Sequence, residues 1–273
     1  MHTTSRVRRL IATAVTAAAV GTSALTLMPT PAQATDTFTW SIDANTVRAL
    51  VQQENHDEVY VASVAFRTTP GVPGSTTATY HGHLSEINGV DVNETHGIPD
   101  AMGRVSFANV TRRSLSDVLA GHNPEVVGTI SFLFERDLTA FGTIDNLMED
   151  VADAAETEIA QVVEPLTLAD LATGEIVDRL GEAADRIEES ATPPLLRRIG
   201  IFLGSLFNPD DLIDHKVNVF VAVDSTLAAL VDAEIGSNIP SSTGVGGALR
   251  PRTYNQVFTG DGGSYRVGFA VGT

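Results

Sequence analysis

Glu58-Val59-Tyr60-Val61-Ala62-Ser63-Val64-Ala65-Phe66-Arg67 is the stretch on which the fold class turns. In an extended chain, successive side chains point to opposite faces. Tyr60, Ala62, Val64 and Phe66 then share one face, and Val59, Val61 and Ala65 share the other. A strand apolar on both faces is a central strand covered on both sides. Its neighbours lie to either side in sequence. Thr37–Ile42 alternates, with Phe38, Trp40 and Ile42 on one side. Asp43 is placed to cap a short helix carrying Val47, Leu50 and Val51. Pro70-Gly71-Val72-Pro73-Gly74 is a turn, followed by a half-buried strand from Thr76 to Leu84. Asn88 to Gly103 reads as a polar loop and Val105 to Val110 as a strand. Ser114 and Asp117 stand at the capping-box distance. Glu125 to Glu135 is a long strand, with Val126, Ile130, Phe132 and Phe134 inward.

The period then changes. Ile144, Leu147, Met148, Val151, Ala155, Ile159 and Val162 recur at helical spacing, and Ile176, Leu180, Ala183, Ala184 and Ile187 form a second stripe. Residues 144–191 hold 14 acids and two arginines. Pro193-Pro194 ends this segment, and Leu195 to Phe207 is apolar nearly all round. The two-residue period returns in Val217, Val219, Val221 and Val223. Ser237 to Gly247 is a Ser/Gly-rich loop. Tyr254–Phe258, Asp261-Gly262-Gly263 and Tyr265–Val271 make a closing β-hairpin. Strands, an acidic helical segment and strands again predict an α+β fold. The expectation is one antiparallel β-sandwich over residues 35–273, with an acidic helical insertion at about 140–207.

Residues 1–34 have the three parts of a cleavable signal peptide. Arg6, Arg8 and Arg9 precede an Ala/Thr-rich apolar run, and Ala32-Gln33-Ala34 supplies the small residues for cleavage after Ala34. The expected location is therefore extracellular or associated with the cell envelope. The leader holds three of the 17 basic residues and none of the 34 acids. The remainder carries 14 bases against 34 acids, a net charge of −20. That charge repels nucleic acid and anionic lipid, and it suits a cation or a basic partner. Cysteine is absent, which excludes disulfides, thiolate catalysis and Cys-ligated zinc. No segment after Ala34 is apolar and long enough to span a bilayer. One lysine, Lys216, stands beside 16 arginines. With the leader, this usage resembles that of exported proteins from high-GC Gram-positive bacteria.

The strongest candidate for chemistry is Asn208-Pro209-Asp210-Asp211-Leu212-Ile213-Asp214. Calcium takes six to eight oxygen ligands, several of them carboxylates on a loop. Asn208, Asp210, Asp211 and Asp214 offer four donors, and Asp224 and Asp261 are placed to approach from neighbouring loops. An Asp-rich loop entering a strand, followed by an aromatic-rich closing hairpin, is similar to calcium-binding C2-type β-sandwiches. His81-x-His83 puts two imidazoles on one strand face, with His96, His122, Asp91 or Glu94 as a third metal ligand. Ser75, Ser205, Ser237 and Ser264 all lack the G-x-S-x-G elbow of a hydrolase.

These features predict a secreted, non-enzymatic binding or envelope-associated module. Its partner is a protein or envelope ligand, and calcium is the candidate cofactor. The alternatives are a secreted hydrolase with an unmarked active site, or a membrane-active protein using the helical insertion.

Overall fold

The computed structural model describes residues 37–53, 56–82, 85–136, 141–166, 211–238, 244–260 and 262–273. The expected signal peptide, Asn208, Asp210, Asp261, His83 and the part of the expected helical insertion from 167 to 207 lie outside the described residues.

Two sheets carry the fold. In the first, β1 (Thr37–Val51) is central. On one side it pairs with β11 (Gly263–Gly272), which pairs in turn with β10 (Arg252–Gly260). On its other side β1 pairs with β5 (Thr95–Gly97) and β6 (Arg104–Thr111). The second sheet runs β3 (Thr77–His81), β2 (Asp57–Thr68), β7 (Val126–Glu135), β8 (Asp211–Val221), β9 (Gly244–Ala248), with β4 (Ile87–Val90) also on β2. The C-terminal strands thus complete both sheets. Most pairs are antiparallel. The exception among them is β8–β9, a parallel pair joined through α4 (Ser225–Asn238). The expected antiparallel sandwich is therefore a mixed one. A parallel pair needs a crossover connection, and α4 supplies it.

β1 replaces the short helix expected after Asp43. It continues as one strand of 15 residues, with register shifts between Ala44 and Thr46 and between Ala49 and Val51. A bulge adds one residue and breaks the two-residue period. Buried positions pass from Ala44 to Val47, so the pattern imitates the spacing of a helix. The loop expected over 88–103 holds the short strands β4 and β5 and one helical turn, α1 (Asp100–Gly103). The capping box is formed as expected. Ser114 Oγ accepts from Asp117 N, and Asp117 accepts from Ser114 N at the start of α2 (Leu115–Leu119).

β2 is central and covered on both faces. One face looks at the first sheet. The other carries Tyr60, Ala62, Val64 and Phe66, which continue across β7 as Phe134, Phe132, Ile130 and Gly128. Tyr60 and Phe134 stack with ring centroids 5.1 Å apart. α3 (Phe141–Val163) lies along β2 and β3, burying Met148, Val151, Ala152, Ala155, Ile159 and Val163. No described helix is long and apolar enough to cross a membrane.

The outer edge of β3 is closed by carboxylates. Glu156 Oε2 accepts from Ala78 N at 3.1 Å, and Asp145 Oδ1 accepts from Tyr80 Oη at 3.0 Å. Just beyond α3, Glu164 accepts from Gly74 N and Thr76 N at 2.9 and 3.0 Å. An exposed edge invites pairing with another chain; Glu156 occupies one backbone donor of β3, and Glu164 two donors just before it. Burial pushes the Glu164 carboxyl up, but hydrogen bonds from Gly74 and Thr76 outweigh it and hold the group below its ordinary value of 4.5. A carboxyl depressed on folding stabilises the fold above its ordinary value and stops doing so as pH falls through the depressed one. Hydrogen-exchange protection at the Gly74 and Thr76 amides is therefore expected to fall on acidification through that range. In Glu164→Gln that step is expected to vanish; an unchanged step would remove Glu164 as its cause.

Candidate functional site

The alternation of β8 decides what lies between the sheets. Val217, Val219 and Val221 take one face, and Asp214, Lys216, Asn218 and Phe220 take the other. The polar set faces inward, towards the first sheet. Tyr254 Oη on β10 donates to Asn218 Oδ1 at 3.0 Å. Lys216 Nζ stands 5.5 Å from the centroid of the Phe258 ring, and Phe220 and Tyr254 are 6.3 Å apart. The valines face away from the first sheet.

Register extends this polar row across the sheet. Lys216 pairs with Ser131, which pairs with Ser63; Asn218 pairs with Thr129. Ser63 Oγ donates to Ser131 Oγ at 3.1 Å, and Ser131 Oγ to Thr129 Oγ1 at 3.4 Å. Asn218 Nδ2 donates to the same Thr129 hydroxyl at 3.1 Å. The chain of bonds thus runs from β2 through β7 and β8 to Tyr254 on the opposite sheet. Every member except Tyr254, which is part-buried, is fully buried. Burial pushes the Tyr254 hydroxyl up, against a smaller opposing pull from Arg252. It stays a neutral donor.

The end of the sheet where β2 and β8 begin and β7 stops is acidic. Asp57 and Glu135 are buried, and Glu135 pairs with Asp211 in the β7–β8 register. Tyr265 Oη donates to Asp57 Oδ2 at 2.5 Å, joining positions 208 residues apart. Burial pushes this hydroxyl up as well, helped by the bond to Asp57 and its charge.

The predicted calcium ligands divide between the two ends of β8. Asp211 and Asp214 are strand residues, where a loop was expected. The ladder with β7 runs through both, interrupted by a bulge between them. Asp214 Oδ2 accepts from Thr259 N at 3.0 Å and pairs with Lys216 Nζ, while Oδ1 accepts from His215 N at 2.8 Å. This brings Asp214 to the two-residue turn between β10 and β11, the turn that contains Asp261. Asp224 lies ten residues further on, roughly 30 Å away at the rise of a strand. It is engaged there at the start of α4, accepting from Thr226 N and Leu227 N at 3.0 and 3.1 Å. Asp224 is thus a helix cap and is removed from any site at the other end. Among the described residues, no three His, Asp or Glu side chains stand close enough together to hold a metal. Of the histidine pair, His81 is half-buried on edge strand β3.

Sequence reasoning missed Ser63, Ser131, Thr129, Asn218 and Gln256. The signal was present in Lys216-x-Asn218, a polar alternation hidden by the louder Val217-x-Val219-x-Val221. The row sets three hydroxyls, Ser63, Ser131 and Thr129, beside an amine, residue types that nucleophilic catalysis uses. Here the Lys216 ammonium is directed to Asp214, and the serines are sealed from solvent. The arrangement binds the two sheets together and fixes their register. Comparison with family models, curated proteins and solved structures returned no match.

Proposed function

We propose that the chain is an exported, non-enzymatic binding module associated with the cell exterior or envelope, and that calcium tunes it. The leader in residues 1–34 supports export. The net charge of −20 after Ala34 favours a cation or a basic ligand over nucleic acid or anionic lipid. The observation that carries the calcium reading is the approach of Asp214 to the β10–β11 turn, through its bond to Thr259 N. Two segments 45 positions apart, each with aspartate in sequence, thereby meet at one end of the sandwich. Glu135 and Asp57 add buried acid at the same end. Asn208, Asp210, Asp211 and Asp261 would supply the further oxygens; Asp224 is not among them.

Thermal unfolding in excess calcium, in magnesium and in EDTA tests this. A ligand held only by the folded state at 100 times its Kd adds about 2.7 kcal/mol. For a domain of this size that is a rise of roughly 5–10 °C. The rise is expected with calcium alone and is expected to disappear in Asp211→Asn. Equal midpoints in calcium and EDTA would withdraw the metal and leave the basic ligand as the partner to seek.

A further inference from the structure

Gln256 is an interior side chain whose two polar atoms are both left unmet among the described residues. It is 2% exposed, and both Oε1 and Nε2 are buried with no hydrogen-bond partner among the described residues. Its position is bracketed by its neighbours on β10. Tyr254 reaches Asn218, and Phe258 lies against Lys216. Asn218 and Lys216 are successive inward residues of β8, so Gln256 faces the space between them. Thr129 and Ser131 stand beside those two in the register. On its own sheet Gln256 pairs with Val267, which offers no partner. A carboxamide has two donor hydrogens and an accepting oxygen, and buried groups of this kind are nearly always met.

We propose that the seam between β8 and β10 is an internal binding site in which Gln256 holds a small uncharged guest. The guest donates to Oε1 and accepts from Nε2. It is uncharged because the Lys216 ammonium is already matched by Asp214, and a further buried charge would lack a counter-ion. It is small because Tyr254 and Phe258 close the site along β10, while Asn218 and Lys216 close it along β8. Water and a small primary amide offer this donor and acceptor alike. Entry runs through the seam itself. There β8 and β10 share no backbone ladder and are tied by the Asp214–Thr259 and Asn218–Tyr254 bonds.

The test is nuclear Overhauser contact from solvent water to the Gln256 Nε2 protons in the purified protein, assigned by their loss in Gln256→Met. Strong water contacts support the site and identify solvent as the guest. Absent water contacts, with a thermal midpoint that rises by several degrees in excess acetamide, support the site with a solute as its guest. Neither response overturns it. The Gln256→Met midpoint is a second check. An amide left unmet would make this variant more heat-stable than the parent, and that result would also overturn the proposal. A midpoint equal to or below the parent's is expected.

Discussion

Lys216→Met is expected to destabilise the protein by about 3–5 kcal/mol, the usual cost of removing one partner from a buried ion pair. For a domain of this size that lowers the thermal midpoint by roughly 6–20 °C. The reason lies in what is left behind. Asp214 keeps its bonds from Thr259 N and His215 N but loses the ammonium that neutralises it. Phe258 loses the cation above its ring. The double variant Lys216→Met/Asp214→Leu is expected to be less damaged than the sum of the two single changes, with a coupling on the order of 1–3 kcal/mol. Denaturant or thermal unfolding of the four proteins closes the cycle. An unchanged midpoint in Lys216→Met would mean that the pair contributes nothing to holding the interior together.

Gly128→Ala is the second large effect. Gly128 lies in the buried strand β7, opposite Phe66 in β2. A Cβ at this position would come within 2.2 Å of the Asn218 carbonyl oxygen and 2.4 Å of Phe66 Cζ. Neither neighbour has free space to retreat into, because Phe66 is packed in the core and Asn218 is held by Thr129 and Tyr254. Overpacking of this kind costs about 3 kcal/mol, or roughly 6–12 °C in midpoint. Adding Phe66→Leu separates the two contacts. Recovery in the double variant assigns the cost to the ring. Persistence assigns it to the β8 backbone. A Gly128→Ala protein with the parent's midpoint would contradict the packing at this point.

What the sequence revealed depended on whether the local period survived folding. In β2 it survived, and the inference of a strand covered on both sides from Tyr60, Val61 and Val64 agrees with the fold. α3 also matched its stripe from Met148 to Val162. β1 did not, because its bulges moved the buried positions from Ala44 to Val47 and copied helical spacing. α4 escaped notice because the apolar residues of Ser225–Asn238 are spread around the helix and give no period, although Leu227, Ala228 and Val231 pack against the core. The candidate site was less legible still. Asp214 and Thr259 meet only through tertiary folding, and no spacing rule connects residues 45 apart. Asp224 follows a strand that carries it away from Asp214, so closeness in sequence misled there. Ser63, Ser131 and Lys216 come from three different strands, and only the ladder register sets them in one row.

The sequestered Lys216 has a consequence for the protein's chemical reactivity. Besides the chain's own N-terminus, it carries the only primary amine, and its side chain is 5% exposed. Beyond that terminal amine, acylating reagents and aldehyde fixatives, like lysine-specific proteases, therefore find almost nothing to act on while the sheets stay closed. The same amine becomes available whenever β8 parts from β10. Each molecule thus carries a single built-in reporter: the rate at which Lys216 is acylated counts openings of the sandwich interior, with no second lysine to blur the count.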